Sequence, residues 1–294
     1  MSEFLQYLIM GLMEGGLYAL VGAAIVLVYK ATQVVSLAHG QLLAFGAFFF
    51  YLFFAPLGLP LIIAVLLTFI ATGILGLAID RLTLRPLIGQ PLFAAFLVTF
   101  AIFMVFDGVF MLILKGSSRS LPAFLPKGIL QVWTLSIPEG PLVSFIVALA
   151  LFGLLGLFFQ YTKIGLGMRA TAEDHQLAQS TGINVKNIFS LIWILSAVVA
   201  AISGIAIANI MDIYYSLPQI GMKGLIVALF GGLESLPGAL LAGLLLGVLE
   251  NVSAGYLDPL VGGGVKEVAA YVMLLVILLV RPYGLFGLVR IERI

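Results

Sequence analysis

The chain has no cysteine, which excludes disulfides, thiolate metal sites and cysteine nucleophiles. Charge is scarce too. Asp, Glu, Lys and Arg make up 9% of its 294 residues, and the formal net charge is +1. So small a balance argues against general affinity for nucleic acid, which needs a basic surface. No Gly-x-x-x-x-Gly-Lys-Ser/Thr run occurs, so the chain does not hold ATP by a phosphate loop. The only two histidines, His39 and His175, lie far apart, and neither belongs to a His-Glu-x-x-His motif. A metal hydrolase is therefore not expected, and no metal site is assigned. The Gly-x-Ser-x-Gly elbow of many hydrolases is also missing. No catalytic residue is assigned.

What the chain has in excess is apolar surface. The apolar set makes up 63% of it, and mean hydropathy is +1.23. An ordinary soluble domain is about 45–50% apolar and about 25% charged, because it needs a polar skin. A bilayer removes that need, so the fold class implied is an all-α integral membrane protein. A crossing helix needs roughly 20 apolar residues. Eight full spans are predicted at 5–29, 34–54, 60–80, 92–114, 141–160, 188–210, 237–256 and 266–281. Met1-Ser2-Glu3 lacks the basic start of a cleavable leader, so the first apolar run reads as a first transmembrane helix. A ninth stretch, Gly221 to Leu233, is short and glycine-rich. It is predicted to be a broken or re-entrant helix, with the break falling within 221–238.

Two polar segments interrupt the spans. Lys115 to Gly140 carries Lys115, Arg119, Lys127, three prolines and Trp133. Lys163 to Lys186 reads like a soluble helical hairpin, in which Gly182 is placed to end a helix. Arg169, Glu173, Asp174 and Ala178 lie along it; the plain alternative is an ordinary connector. An odd number of crossings puts Lys30, Arg81, Arg85, Lys163, Arg169, Lys186, Arg281, Arg290 and Arg293 on one face. Lys115, Arg119, Lys127 and Lys266 fall on the other, with Lys223 undecided. The positive-inside bias makes the first face cytoplasmic, with the N-terminus outside and the C-terminus inside. A short echo, Ser36 to Ala44 against Ser235 to Ala242, reads either as the trace of an internal repeat or as chance.

Polar groups at membrane depth are costly, so they face the bundle or a wet cavity. Glu14, Glu250 and Asn251 are such groups, and each either ties helices together or lines a solute pathway. Ser36, His39 and Gly40 lie where a helix starts, and Gly231, Gly232 and Ser235 lie in a glycine-rich turn before another. Exposed helix ends can hold a charged or zwitterionic solute; packing and a plain loop are the alternatives. These nine residues form the candidate substrate pathway. Arg169, Glu173, Asp174, Ala178 and Gly182 form the candidate coupling segment.

Three stretches resemble the permease subunits of branched-chain amino acid ABC transporters, the Liv-type permeases. They are Gly11 through Ser36-Leu37-Ala38-His39-Gly40, Gly165-Leu166-Gly167-Met168-Arg169-Ala170 through Gly182-Ile183-Asn184, and Gly231-Gly232-Leu233-Glu234-Ser235-Leu236-Pro237-Gly238 through Glu250. The resemblance implies a single importer transmembrane domain over 1–294, with 163–186 as the segment that docks on an ATPase. It implies a second permease subunit, two ATPase subunits and a periplasmic or surface binding protein as partners, in a bacterial or archaeal cytoplasmic membrane. ATP and Mg would then sit on the partner ATPase, with no cofactor in this chain. Glu14 and Glu234 depart from the family pattern. They leave urea, amides or aromatic acids, which related permeases import, open beside branched-chain amino acids. A different class, an ion-coupled secondary transporter, would use Glu14, Glu250 and His39 as a relay.

Overall fold

A computed structural model describes residues 2–87, 90–173 and 175–287, without the side chains of His175 and Gln176. Asp174, Arg290 and Arg293 fall outside the described residues. The helices run in chain order: α1 (Ser2–Thr32), α2 (His39–Phe54), α3 (Leu61–Ile79), α4 (Leu92–Leu114), α5 (Glu139–Tyr161), α6 (Lys163–Glu173), α7 (His175–Ser180), α8 (Val185–Met211), α9 (Leu217–Gly231), α10 (Leu236–Val261) and α11 (Val265–Val280). Between α4 and α5 lies a small antiparallel ribbon of β1 (Ile129–Val132) and β2 (Leu135–Pro138). This ribbon, in the segment that sequence marks only as polar, and an antiparallel bridge between Arg119 and Ile213 depart from an otherwise helical chain.

Among the described residues, six helices are long and apolar enough to cross a membrane: α1, α3 with its continuation to Leu87, α4, α5, α8 and α10. This differs from the eight full spans that hydropathy predicts. The span expected at 34–54 becomes a 16-residue helix that starts only at His39, and that expected at 266–281 is also 16 residues long. The stretch expected to be broken is instead a continuous 15-residue helix, α9. The break comes after it, at 232–235, within the predicted 221–238 window.

Close helix contact is set by small residues. α1 sits at the centre, buried on nearly all sides, and packs along α10. A Cβ on Gly11 would come 2.6 Å from the Gly247 carbonyl oxygen, and one on Gly15 would come 2.5 Å from that of Gly243. The paired Gly11/Gly15 and Gly243/Gly247 spacings let the two backbones touch, the usual way membrane helices associate when lipid supplies no hydrophobic drive. α3, α4 and α5 keep most of their apolar side chains outward, as a lipid-facing layer does.

The non-helical run before α2 solves a backbone problem. Within a bilayer every N–H and C=O needs a protein partner. The Thr99 hydroxyl of α4 donates to Phe96 O (2.9 Å) and lies 3.3 Å from Val35 O, and it sits 3.5 Å from Leu37 N as the acceptor there. Val34 N donates to the Thr32 hydroxyl at 3.3 Å. Polar atoms from two neighbouring elements thus replace the missing helical bonds.

The start of α1 and the segment after α11 lie at opposite ends of the bundle. Gln6 bonds Ser136 of β2, and Tyr7 packs on Tyr256 near the end of α10. Phe286 N donates to Gly231 O, at the far end of α9.

Candidate functional site

The candidate pathway residues do not form one site; they fall into three places. The first is a column of ionisable groups joining α1, α9, α10 and α11. Glu14 of α1 accepts a hydrogen bond from Asn251 of α10 at 3.1 Å and pairs with Lys266 of α11. Directly before Asn251, Glu250 of α10 is fully buried and pairs with Lys223 of α9 at 2.9 Å. The Lys223 ammonium also lies 5.1 Å from the centre of the Tyr18 ring. Each acid therefore meets a cation from a shorter helix, which fixes α9 and α11 against the central α1–α10 pair. Glu14, Glu250 and Asn251 thus each bond across to another helix. Sequence leaves Lys223 undecided and sets Lys266 at the outer face; neither was identified as a partner.

The second place is the start of α2. His39 is fully buried, its Nδ1 3.0 Å from the Ser36 hydroxyl, and its ring is 5.4 Å from that of Trp193 on α8. Gly40 faces Pro218 and Gly221 of α9 with no room for a side chain. Ser36, His39 and Gly40 thus make a packed junction of α2, α8 and α9. Next to Gly40, Gln41 donates to Asp107 of α4 at 3.1 Å, which accounts for an acid inside an apolar span.

The third place is the basic end of the bundle. Gly231 packs directly on Gly238, and Gly232 has φ +100°, which only glycine adopts at low cost. Ser235 caps α10 by accepting from Gly238 N at 3.0 Å. Beside this turn an open cleft of about 690 Å³ runs between α5 and α10, and a neighbouring recess of about 430 Å³ adjoins it. Lys30, Arg169, Glu234 and Ser235 line both.

The coupling candidates lie at the same end. α6 buries Met168 and Thr171 and turns Arg169 and Glu173 outward. At the end of α7, Gly182 N donates to Gln179 O and Ile183 N to Ala178 O (3.0 and 3.1 Å), with Gly182 at φ +86°. This is the paired-bond helix stop that the sequence predicts. Ala178 differs from expectation. It is 3% exposed, packed within this chain instead of offered to a partner, while neighbouring Leu177 is 66% exposed. Behind the hairpin, Asp80 at the end of α3 accepts from Ser190 of α8 (2.6 Å) and pairs with Arg85 (3.6 Å). Among the described residues no group of acids and histidines could hold a metal ion.

Helices of full-span length, packed by glycine and tied by ion pairs at membrane depth, with a polar hairpin at one end, define a multi-pass membrane permease. The chain belongs to the family described as branched-chain amino acid transport system / permease component, which matches residues 7–281. Over 313 aligned residues it is 29% identical to the high-affinity branched-chain amino acid transport system permease protein BraD of Pseudomonas aeruginosa, with 99% of this chain and 98% of that protein covered. LivH of Escherichia coli, of the same description, is 27% identical over 99% of this chain and 98% of its own length. A probable branched-chain amino acid transport permease protein LivH of Methanocaldococcus jannaschii is 28% identical over 92% and 89%. No solved structure matches the chain.

Proposed function

We propose that this chain is one of two membrane subunits of an ATP-driven importer of branched-chain amino acids or close relatives. The observation that carries the reading is the full-length match to the permease family. The α6–α7 hairpin supports it: a chain without a phosphate loop presents exposed Arg169, Glu173 and Leu177 at one end of its bundle. In this reading the hairpin docks on an ATPase that holds ATP and Mg. The other partners are a second permease and a binding protein on the opposite side.

The basic end is cytoplasmic in this reading. Lys30, Arg81, Arg85, Lys163, Arg169, Lys186 and Arg281 gather there, against Lys115, Arg119, Lys127 and Lys266 at the other. The N-terminus is then outside. The alternative relay of Glu14, Glu250 and His39 is disfavoured, because Glu14 and Glu250 belong to separate ion pairs and His39 is packed against Trp193. Co-expression with the ATPase subunits encoded beside it tests the proposal. Co-purification of the chain with an ATPase is expected, and its loss when 163–186 is replaced by a polar linker. Retention of the ATPase with that linker would refute the docking role.

A further inference from the structure

Glu234 is an acid at the basic end of the bundle, where it lines the cleft beside the α9–α10 turn. It lies with Ser235 in the link between α9 and α10, opposite Lys30 at the end of α1 and Arg169 on α6. Two cations, one acid and a hydroxyl thus line the same cleft. The rest of the lining is apolar apart from Gln160, and includes Phe152, Gly153 and Gly156 of α5 and Leu236 and Leu240 of α10. Here glycine does not serve close packing. A Cβ at Gly153 or Gly156 would meet nothing within 4 Å, in contrast to Gly11 or Gly247. Missing side chains in this lining leave open space, and the cleft volume falls in the range of about 300–1,000 Å³ common for small-molecule sites.

We infer that this cleft is a release subsite for a zwitterionic apolar amino acid, which rests on the proposed function. Lys30 and Arg169 receive the carboxylate, Glu234 receives the ammonium, and the branched side chain lies against the α5–α10 wall. Glu234 already has contacts of its own, so the ammonium exchanges with them. The acid also selects among occupants. A phospholipid phosphate gains from the two cations but is repelled by Glu234, whereas a zwitterion uses both signs. One cation of the subsite stands on α6, the proposed coupling helix, and the other charged groups stand on α1 and the α9–α10 link. Movement of the hairpin therefore changes how many cations face the carboxylate, so that an ATPase-driven shift lowers affinity at the exit.

The test uses the complete transporter in proteoliposomes, with both permeases, the ATPases and the binding protein. Initial uptake of labelled leucine is measured against graded unlabelled leucine inside the vesicle. A parallel series uses internal 4-methylpentanoate, which keeps the carbon skeleton and carboxylate of leucine but lacks its ammonium. Internal leucine is expected to slow uptake, with 4-methylpentanoate about tenfold weaker, as loss of one charge-assisted hydrogen bond implies. Glu234→Gln should raise the half-inhibiting leucine concentration about 5- to 20-fold, to near that of 4-methylpentanoate. The external KM, set by capture at the far end, should hold. Glu234→Asp should retain the preference for leucine, and Lys30→Gln should weaken both compounds alike. Equal inhibition by the two compounds in the unmodified protein would overturn the subsite, as would unchanged inhibition in Glu234→Gln. Inhibition that follows the anionic lipid content of the vesicle, and not internal leucine, would assign the cleft to lipid and overturn it too. A complete absence of leucine uptake by the unmodified transporter would instead overturn the functional reading beneath it.

Discussion

Glu250 is fully buried, and its charge is balanced by Lys223 at 2.9 Å. Replacing Glu250 by Gln removes the negative charge and leaves the ammonium inside the bundle. Breaking a buried pair from one side costs about 3–5 kcal/mol, because the remaining charge is uncompensated. Lys223 is 15% exposed by side chain and lies beside Tyr18, so some solvation and a ring-face contact remain. The lower end, about 3 kcal/mol, is therefore expected. The double variant Lys223→Met/Glu250→Gln removes both charges, and the single variant Lys223→Met completes the cycle. The double variant should recover most of the loss, giving a coupling of roughly 2 kcal/mol or more between the two sites. Equilibrium unfolding in mixed micelles, followed by circular dichroism, measures all four members of the cycle. Should Glu250→Gln unfold within about 0.5 kcal/mol of the unmodified chain, the range of neutral surface changes, the pair would not be a tie.

Other predictions follow from the same geometry. Gly247→Leu drives a side chain into the α1 backbone at Gly11 and Gly15, so the purified protein should lose its monodisperse elution peak, whereas Gly153→Leu, with open space around it, should keep it. Thr99→Val removes the hydroxyl that serves Val35 O and Leu37 N, and should cost about 1–3 kcal/mol in the same unfolding assay. Gly182→Val forces a β-branched residue to φ +86°, and should reduce ATPase co-purification while leaving membrane levels near normal. Ala178→Trp, buried as Ala178 is, should damage the hairpin itself, seen as faster proteolysis within 163–186 even with no ATPase present.

The parts of this fold that sequence exposes are those governed by local composition. The long apolar runs of α1, α3, α4, α5, α8 and α10 emerge because a crossing helix needs about 20 apolar residues in a row. The stop at Gly182 and the break before Ser235 are legible because glycine at positive φ and a serine cap act over a few residues. Hydropathy is blind to conformation, so Val34, Val35 and Leu37 read as the start of a span although they are not helical. The ion pairs were hidden for another reason. Lys223 and Glu250 are 27 residues apart, and Glu14 and Lys266 are 252 apart. Only the packing of α9 and α11 on α1 and α10 brings them together. The burial of Ala178 was equally illegible, since its place on the inner side of α7 depends on how the hairpin folds back.

Labelled leucine uptake into proteoliposomes containing the complete assembly tests the central claim most directly. With the binding protein and leucine outside and ATP inside, concentrative uptake is expected that stops when ATP is replaced by a non-hydrolysable analogue. Vesicles holding this chain alone should show no such accumulation. Accumulation driven by a proton or sodium gradient with this chain alone, without ATP, would contradict the account.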